Sequence, residues 1–363
     1  MSMVDLPDFP WDSLVEYGQR ARAHPDGIVD LSVGTPVDPV PELIQHALSS
    51  VADVPGYPTT HGTPELREAA VKAMERRYGV AGIDEGAVLP TIGSKELVAW
   101  LPTLLGIGAG DLVVIPALAY PTYEVGARLA GAEYLRADGL TALGPRNPKL
   151  IWINSPANPT GKVLPVEHLR KVVDFARERG AVVASDECYI SLGWDAEPVS
   201  VLHPSVSRGS FDGLLAVHSL SKSSNLAGYR AGFLTGDPTL VARLLEVRKH
   251  AGLMMPRPVQ AAVTAALGDD AHIAVQRERY AGRRAMLREA LLTSGFRVEH
   301  SEAGLYLWAS RDEPALTTVS WLADRGILVA PGTFYGPTGA QYVRVALTAP
   351  DERVAAAVAR LAS

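Results

Sequence analysis

The sequence predicts an α/β fold, with a large domain of mostly parallel sheet between helices and a small α+β domain after it. Short apolar runs of strand length, such as 112–115, 150–153 and 214–217, recur through the first two thirds of the chain. Helical periodicity falls between several of them, most clearly over 166–179. Buried strands separated by helices imply a parallel sheet covered on both faces. After Asp237 the pattern changes to long amphipathic helices and then to further strands.

Residues 1–41 read as an N-terminal arm that also forms part of the small domain. Residues 6–11 are rich in proline and aspartate between apolar anchors, and 11–23 suit one short helix. A brief strand over 28–32 ends at Gly34-Thr35-Pro36. The run Pro36-Val37-Asp38-Pro39-Val40-Pro41 excludes regular helix and central strand, because proline removes a donor and fixes φ. It suits an extended crossing between two domains or two subunits. Residues 42–51 resume helical spacing and open the large domain, 42–265.

Within that domain 65–78 reads as a helix, with Thr63 as its N-cap and Pro64 at the first helical position. A strand over 88–91, the triplet Gly93-Ser94-Lys95 and a helix over 96–105 follow. Strands are expected at 112–115, 150–153, 182–184, 214–217 and 232–235. The helices 239–250 and 271–293 come next, the second rich in arginine and placed to link domains. Strands at 296–300, 304–308, 327–330 and 342–347, with a closing helix at 350–361, belong to the small domain, 266–363. No internal repeat or low-complexity tract interrupts the chain.

Apolar residues make up 47% and charged residues 20%, a balance that allows a sizeable core. A formal charge of −6 argues against a nucleic-acid surface. No apolar run approaches the roughly 20 residues of a membrane helix. Residues 1–8 lack the basic start and apolar core of a signal peptide. The single cysteine, Cys188, excludes an internal disulfide and reads as a buried packing residue rather than a reactive thiol. These features predict a cytoplasmic globular protein.

The most informative stretch is Ser219-Leu220-Ser221-Lys222, leaving the strand 214–217, followed by Gly228-Tyr229-Arg230-Ala231-Gly232. A lysine that leaves a buried strand among small hydroxyl residues is partly desolvated, which lowers its pKa. Such an amine forms an imine with a carbonyl. Arg230, with the hydroxyls of Ser219 and Ser221, can bind a phosphate carried by that carbonyl compound. A surface lysine after a strand would account for Ser-x-Ser-Lys alone, but not for the whole pattern.

The segment resembles the pyridoxal-phosphate lysine segment of the fold-type I, class I/II aminotransferases. That resemblance implies a fold-type I transferase with pyridoxal 5'-phosphate as cofactor and Lys222 as the catalytic amine. An acid must then face the pyridine nitrogen so that the ring can act as an electron sink. Asp186, at the carboxyl end of the strand 182–184, stands where α/β sheets bind ligands. Tyr189 lies three residues on and could bond the phenolic oxygen of the cofactor. Asn158, in Asn158-Pro159-Thr160-Gly161, also suits a turn, but the family's order of motifs makes it the residue that bonds the cofactor ring. Gly93, Ser94 and Lys95 open a helix whose free N–H groups could cradle the phosphate.

The same resemblance adds Tyr120, in Ala119-Tyr120-Pro121, as the ring stacked on the pyridine. It adds Tyr57, in Gly56-Tyr57-Pro58, as a phosphate ligand reaching across a dimer interface. Arg344, on an otherwise apolar strand, would grip the substrate carboxylate bidentately, which would satisfy a cation that is costly to bury. Gly34 matches the small residue that lets backbone approach the substrate, and Asn158 is placed with these two against substrate. Residues 331–336 resemble the loop before the arginine strand.

These motifs stand in family order from Gly34 to Arg344, so the match covers nearly the whole chain. The implied function is transamination between amino acids and oxo acids by a ping-pong route through Lys222, in a homodimer, with no metal. More narrowly, residues 28–41 and 92–100 resemble the N-succinyldiaminopimelate aminotransferases of actinobacteria. This makes N-succinyl-LL-diaminopimelate, with 2-oxoglutarate or glutamate, the expected substrate pair in lysine biosynthesis. A broader aspartate or aromatic aminotransferase, or a pyridoxal-phosphate lyase or decarboxylase of the same fold, would use the same residues. A non-catalytic pyridoxal-phosphate sensor is disfavoured by the acidic charge and by an arm that starts without a preceding DNA-binding domain.

Overall fold

The computed structural model describes residues 6–362. Residues 1–5, the start of the stretch read against a signal peptide, and residue 363 lie outside the described residues. The arm begins with a 3-10 turn, Pro10–Leu14, that runs into the helix Val15–Arg22. The sequence predicts a single helix there; Pro10 at the first position starts the tighter turn instead. Strand β1 (Val29–Asp30) follows, and Arg283 grips Asp38 in the proline-rich crossing through both carboxylate oxygens, at 2.6 and 2.8 Å.

Seven strands form the central sheet: β2 (Val88–Ile92), β3 (Leu112–Ile115), β4 (Glu133–Arg136), β5 (Leu150–Asn154), β6 (Val182–Asp186), β7 (Leu214–Ser219) and β8 (Ala231–Gly236). Their order is β2-β8-β7-β6-β5-β3-β4. From β7 to β4 every neighbouring pair is parallel, whereas β8 runs antiparallel to both β7 and β2. The link from β7 to β8 is the lysine loop, with no helix in it, and is too short for the crossover that a parallel return needs. Along β5, Ile151 and Ile153 face one core while Leu150 and Trp152 face the other, so both surfaces of the sheet are covered.

The sequence pattern does not reveal β4, because this edge strand is only partly buried and carries no apolar run. The helices Thr122–Leu129, Arg257–Gly268 and Ala315–Asp324 are also absent from the sequence reading. In the second, the buried stripe Ala262, Val263, Ala266 and Leu267 is backed by the small apolar Ala261 and Ala265, so the sequence shows little apolar–polar contrast between the helix faces.

The C-terminal part adds β9 (Arg297–Glu299), β10 (Tyr306–Ser310), β11 (Ile327–Leu328), β12 (Ala330–Pro331) and β13 (Tyr342–Ala346). A four-stranded antiparallel sheet has the order β12-β13-β10-β9. The single strand expected over 327–330 is two: β11 pairs in parallel with β1, while β12 turns to pair with β13. The helix Ala271–Thr293 precedes this sheet, and its Arg283 also bonds Asp351 at 2.6 Å, joining the crossing segment to the closing helix Asp351–Leu361. Among the described residues no helix is long and apolar enough to cross a membrane.

Candidate active site

Three parallel neighbours, β5, β6 and β7, end on Asn154, Asp186 and Ser219, and all three residues border one crevice of about 220 Å³. This is the carboxyl edge of the sheet, where open α/β folds place their ligands. Of the residues expected from the sequence, Gly34, Ser94, Lys95, Tyr120, Asn158, Asp186, Tyr189, Ser219, Ser221, Lys222, Arg230 and Arg344 surround it. Gly93 stands directly behind: a Cβ there would lie 2.3 Å from Arg230 Nη2. Tyr57 is not part of this crevice, and its side chain is 98% exposed.

Lys222 reaches across the crevice, and its Nζ donates to the carbonyl oxygen of Gly34. Burial lowers its pKa below the ordinary lysine value; Arg344 and Arg230 act the same way, against the phenol of Tyr306. Asp186 accepts from the Tyr123 hydroxyl at 2.7 Å and from the Cys188 N–H at 3.2 Å. Burial raises the Asp186 carboxyl above its usual value despite these bonds. Asn154 buttresses the strand ends: its Nδ2 donates to Asp186 O at 2.9 Å, and its Oδ1 accepts from Asn158 N at 2.7 Å.

On the opposite wall Arg344 donates to Asn158 Oδ1 at 3.0 Å and to Ser32 O at 2.7 Å. Its guanidinium lies 3.8 Å from the ring centre of Tyr306, and its Nε is buried without a partner. Tyr306 Oη is 3.1 Å from Tyr189 Oη. Burial acts to raise the Tyr306 phenol, yet the charges of Arg344 and Lys222 outweigh it and draw its pKa down. A Cβ at Gly34 would meet Tyr306 Oη at 2.2 Å, so this glycine answers a need for space.

The helix Ser94–Leu104 has no side-chain cap at its start, which leaves first-turn N–H groups open toward the crevice. Arg230 holds φ at 56° and its Nη1 donates to Ala227 O, folding the guanidinium back over Gly93. Lys95 lies over the rings of Phe9 and Tyr120, at 5.6 and 6.0 Å from their centres.

Tyr123, Asn154, Tyr306, Cys188 and Trp11 also border the crevice, and the sequence reading gives none of them a place there. Tyr123 follows Tyr120 by about one helical turn, and Asn154 precedes Asn158 by four residues; those spacings are the available signals. Cys188, expected as a packing residue, does pack against the core that holds Tyr189 and Tyr306 while also bordering the crevice, and burial raises its thiol well above the usual value, away from a reactive thiolate. Among the described residues no cluster of three His, Cys, Asp or Glu side chains could hold a metal.

The residue set fits pyridoxal phosphate. Asp186 is a buried acid whose bonded partners are neutral donors, as a protonated ring nitrogen requires. Arg230 and the uncapped helix start frame an anion cradle that a side chain on Gly93 would fill. Arg344 keeps an unpaired buried Nε beside that site, and Lys222 supplies a half-buried amine.

Comparison with known proteins agrees with this geometry. The sequence matches the family model described as aminotransferase class I and II over residues 26–361. A probable aminotransferase of Mycobacterium tuberculosis is 68% identical over 358 residues, covering 99% of this chain and 86% of that protein. The 4-dedimethylamino-4-oxo-anhydrotetracycline transaminase OxyQ of Streptomyces rimosus is 60% identical, covering 99% of this chain and 100% of its own length. Among solved structures, a probable N-succinyldiaminopimelate aminotransferase from Thermus thermophilus superposes with a TM-score of 0.86 at 31% identity, covering 97% of this chain and 99% of that one.

Proposed function

This chain belongs to the class I and II aminotransferases and is a pyridoxal-phosphate-dependent transaminase; from that premise we propose that it exchanges the amino group of N-succinyl-LL-diaminopimelate with 2-oxoglutarate, in the cytoplasm. The observation that carries the reaction type is the convergence of Lys222, Asp186 and Arg344 on one crevice. The substrate choice is supported by the likeness to the Thermus thermophilus protein and by the residue pattern of 28–41 and 92–100.

Pyridoxal phosphate, when bound, supplies an aldehyde that takes up amines and a ring that accepts charge from the carbon bearing them. Asp186 would hold the proton of the ring nitrogen, with Tyr123 keeping the carboxylate oriented. Asn158 and Tyr189 would bond the phenolic oxygen and Tyr120 would cover the ring face. Gly93, Ser94, Lys95, Ser219, Ser221 and Arg230 would hold the phosphate. Arg344 offers its guanidinium to the substrate α-carboxylate, and Gly34 leaves room beside it. Lys222 Nζ takes the proton from the amine-bearing carbon of the donor and returns a proton in the second half-reaction. The donor leaves as an oxo acid and the second oxo acid leaves as an amino acid, a ping-pong exchange.

A homodimer belongs to this reading. Tyr57, fully exposed on this chain, would serve the phosphate site of a second copy. A fully active monomer in sedimentation would refute that part.

The 60% identity with OxyQ favours a second reading, in which the acceptor is a ketone on a large ring system. Titration of the loaded protein with separate amine donors, followed by visible absorbance, separates the two. Loss of the resting band with N-succinyl-LL-diaminopimelate and glutamate, and not with aromatic amino acids, is the expected result. Inertness toward N-succinyl-LL-diaminopimelate would remove that substrate. A Lys222→Ala protein that transaminates normally would overturn the whole assignment.

A further inference from the structure

Two residues beyond Lys222, Ser224 Oγ lies 2.8 Å from His272 Nε2, and His272 Nδ1 lies 2.7 Å from Asp269 Oδ2. A serine, a histidine and an acid in this order form the relay that activates a nucleophile in hydrolases. Here it cannot serve that purpose. Ser224 is 1% exposed and does not border the crevice, so no acyl group could reach its oxygen.

The relay has another geometric consequence. Asp269 also accepts the backbone N–H of His272, at 2.9 Å, which fixes the acid at the start of the helix Ala271–Thr293. With Nδ1–H donating to Asp269, Nε2 is left to accept the Ser224 hydroxyl. One turn along, on the same helix face, Gln276 Oε1 accepts from Asn225 Nδ2 at 2.9 Å. Asn225 Nδ2 also donates to Pro39 O at 3.2 Å, and Gln276 Nε2 to Asp38 Oδ2 at 2.7 Å. Two adjacent residues of the lysine loop, one of them at a left-handed φ of 56°, are therefore bonded to one face of a helix from a distant part of the chain. On the site side, the same loop sends Lys222 Nζ to the carbonyl of Gly34, in the segment that leads into Pro39.

We infer that His272 and Gln276 are positioning residues for the transamination: their clamp on Ser224 and Asn225 fixes the backbone from which Lys222 projects into the crevice. The inference rests on Lys222 being the reacting amine. All four clamp side chains are buried, so no solvent molecule readily replaces a lost partner.

The test uses the cofactor-loaded protein with the variants Ser224→Ala, His272→Leu and His272→Gln. The visible absorbance of the loaded protein is titrated against pH, and kcat and KM are measured with glutamate as donor. Ser224→Ala and His272→Leu are expected to move the pH midpoint of the visible band by on the order of half a unit. They should also lower kcat about tenfold with KM little changed, since small misplacements of a reacting group act on the chemical step. His272→Gln, which can accept from Ser224 and donate to Asp269, should recover most of both. Variants that melt earlier but keep the wild-type midpoint and kcat would overturn the inference and reduce the clamp to a structural contact. If His272→Leu does not fold, the smaller change Ser224→Ala, which removes only one hydroxyl, decides by the same two readouts. A wild-type protein with no visible band after pyridoxal phosphate is added would sink the Lys222 reading itself, and the inference with it.

Discussion

The Tyr123 hydroxyl donates to Asp186 Oδ2 across 2.7 Å, joining the helix Thr122–Leu129 to the last residue of β6. Both groups are buried, and burial already lifts the Asp186 carboxyl above its ordinary range. Removing the phenol by Tyr123→Phe leaves Oδ2 without its donor, a loss of about 1–3 kcal/mol for a buried acceptor. The carboxylate form is then less favoured, and it is this form that a protonated ring nitrogen needs. We expect the dissociation constant for pyridoxal phosphate to rise about tenfold. Equilibrium dialysis with absorbance detection measures it, and an unchanged constant would show that the bond contributes nothing to cofactor binding.

Gly34 gives a second, steric prediction. A methyl group there would meet Tyr306 Oη at 2.2 Å and its Cε1 at 2.9 Å, so Tyr306 must move. Its bond to Tyr189 and its place under the Arg344 guanidinium move with it. Gly34→Ala should therefore lower kcat/KM by roughly 100-fold, as misplacement at a reacting centre does. The cost in stability should stay near 1–3 kcal/mol, the range for overpacking. Kinetics and a thermal melt on the same preparation check both; wild-type kcat/KM would mean that Tyr306 yields without consequence.

The residues legible in the sequence are those whose chemistry is carried by near neighbours in the chain. Lys222 is flanked by Ser219 and Ser221, and Asp186 ends an apolar strand, so local pattern and resemblance together place them on one edge of the sheet. Tyr306 carries no such signal, because it reads as one apolar residue of β10 and reaches the crevice only when that strand packs against Gly34. Tyr123 is hidden in a helix that the pattern does not announce. The Ser224–His272 bond joins residues 48 apart, and nothing near either one points to the other. Among the secondary elements, buried strands with apolar runs are visible in advance. The edge strand β4 and the buried helix Arg257–Gly268 are not, since each lacks the contrast between faces on which periodicity depends.

Arg344 tests the substrate side of the site. Its Nη1 and Nη2 are tied to Asn158 Oδ1 and Ser32 O, which aims the planar group while leaving Nε unpaired. A lysine in its place keeps the charge and loses the fork that matches a carboxylate. Arg344→Lys is expected to raise KM for the amino acid and for the oxo acid by one to two orders of magnitude, roughly 1.5–3 kcal/mol for a charge-assisted bond. Steady-state kinetics in both directions reads this out. Equal KM values in variant and wild type would remove Arg344 from carboxylate binding.

Glu187, next to Asp186 in the chain, predicts how stability depends on pH. Its Oε1 accepts from Val201 N at 2.8 Å, and its Oε2 lies 3.4 Å from His218 Nε2. The imidazole is stacked between Tyr78 and Phe233, with ring centres 5.6 and 4.9 Å away. Burial raises the Glu187 carboxyl from 4.5 to about 7, and burial with the charge of Arg77 lowers His218 to about 3. Between 4.5 and about 7 the folded protein therefore holds a proton on Glu187 that the unfolded chain releases. Stability from this residue falls as pH rises through that window and is lowest above it. Glu187→Gln keeps an acceptor for Val201 and a donor for His218 but has no carboxylate to ionise. His218 pulls the other way, costing stability as pH falls from 6.5 toward 3, but it does so in both proteins and largely cancels in their difference. The variant should gain on wild type from pH 4.5 to about 7 and hold a constant advantage above, on the order of a few kcal/mol. Urea unfolding of both proteins at pH 5, 6, 7 and 8 measures the difference. A gap that stays flat across these pH values would mean that Glu187 ionises like an ordinary surface glutamate.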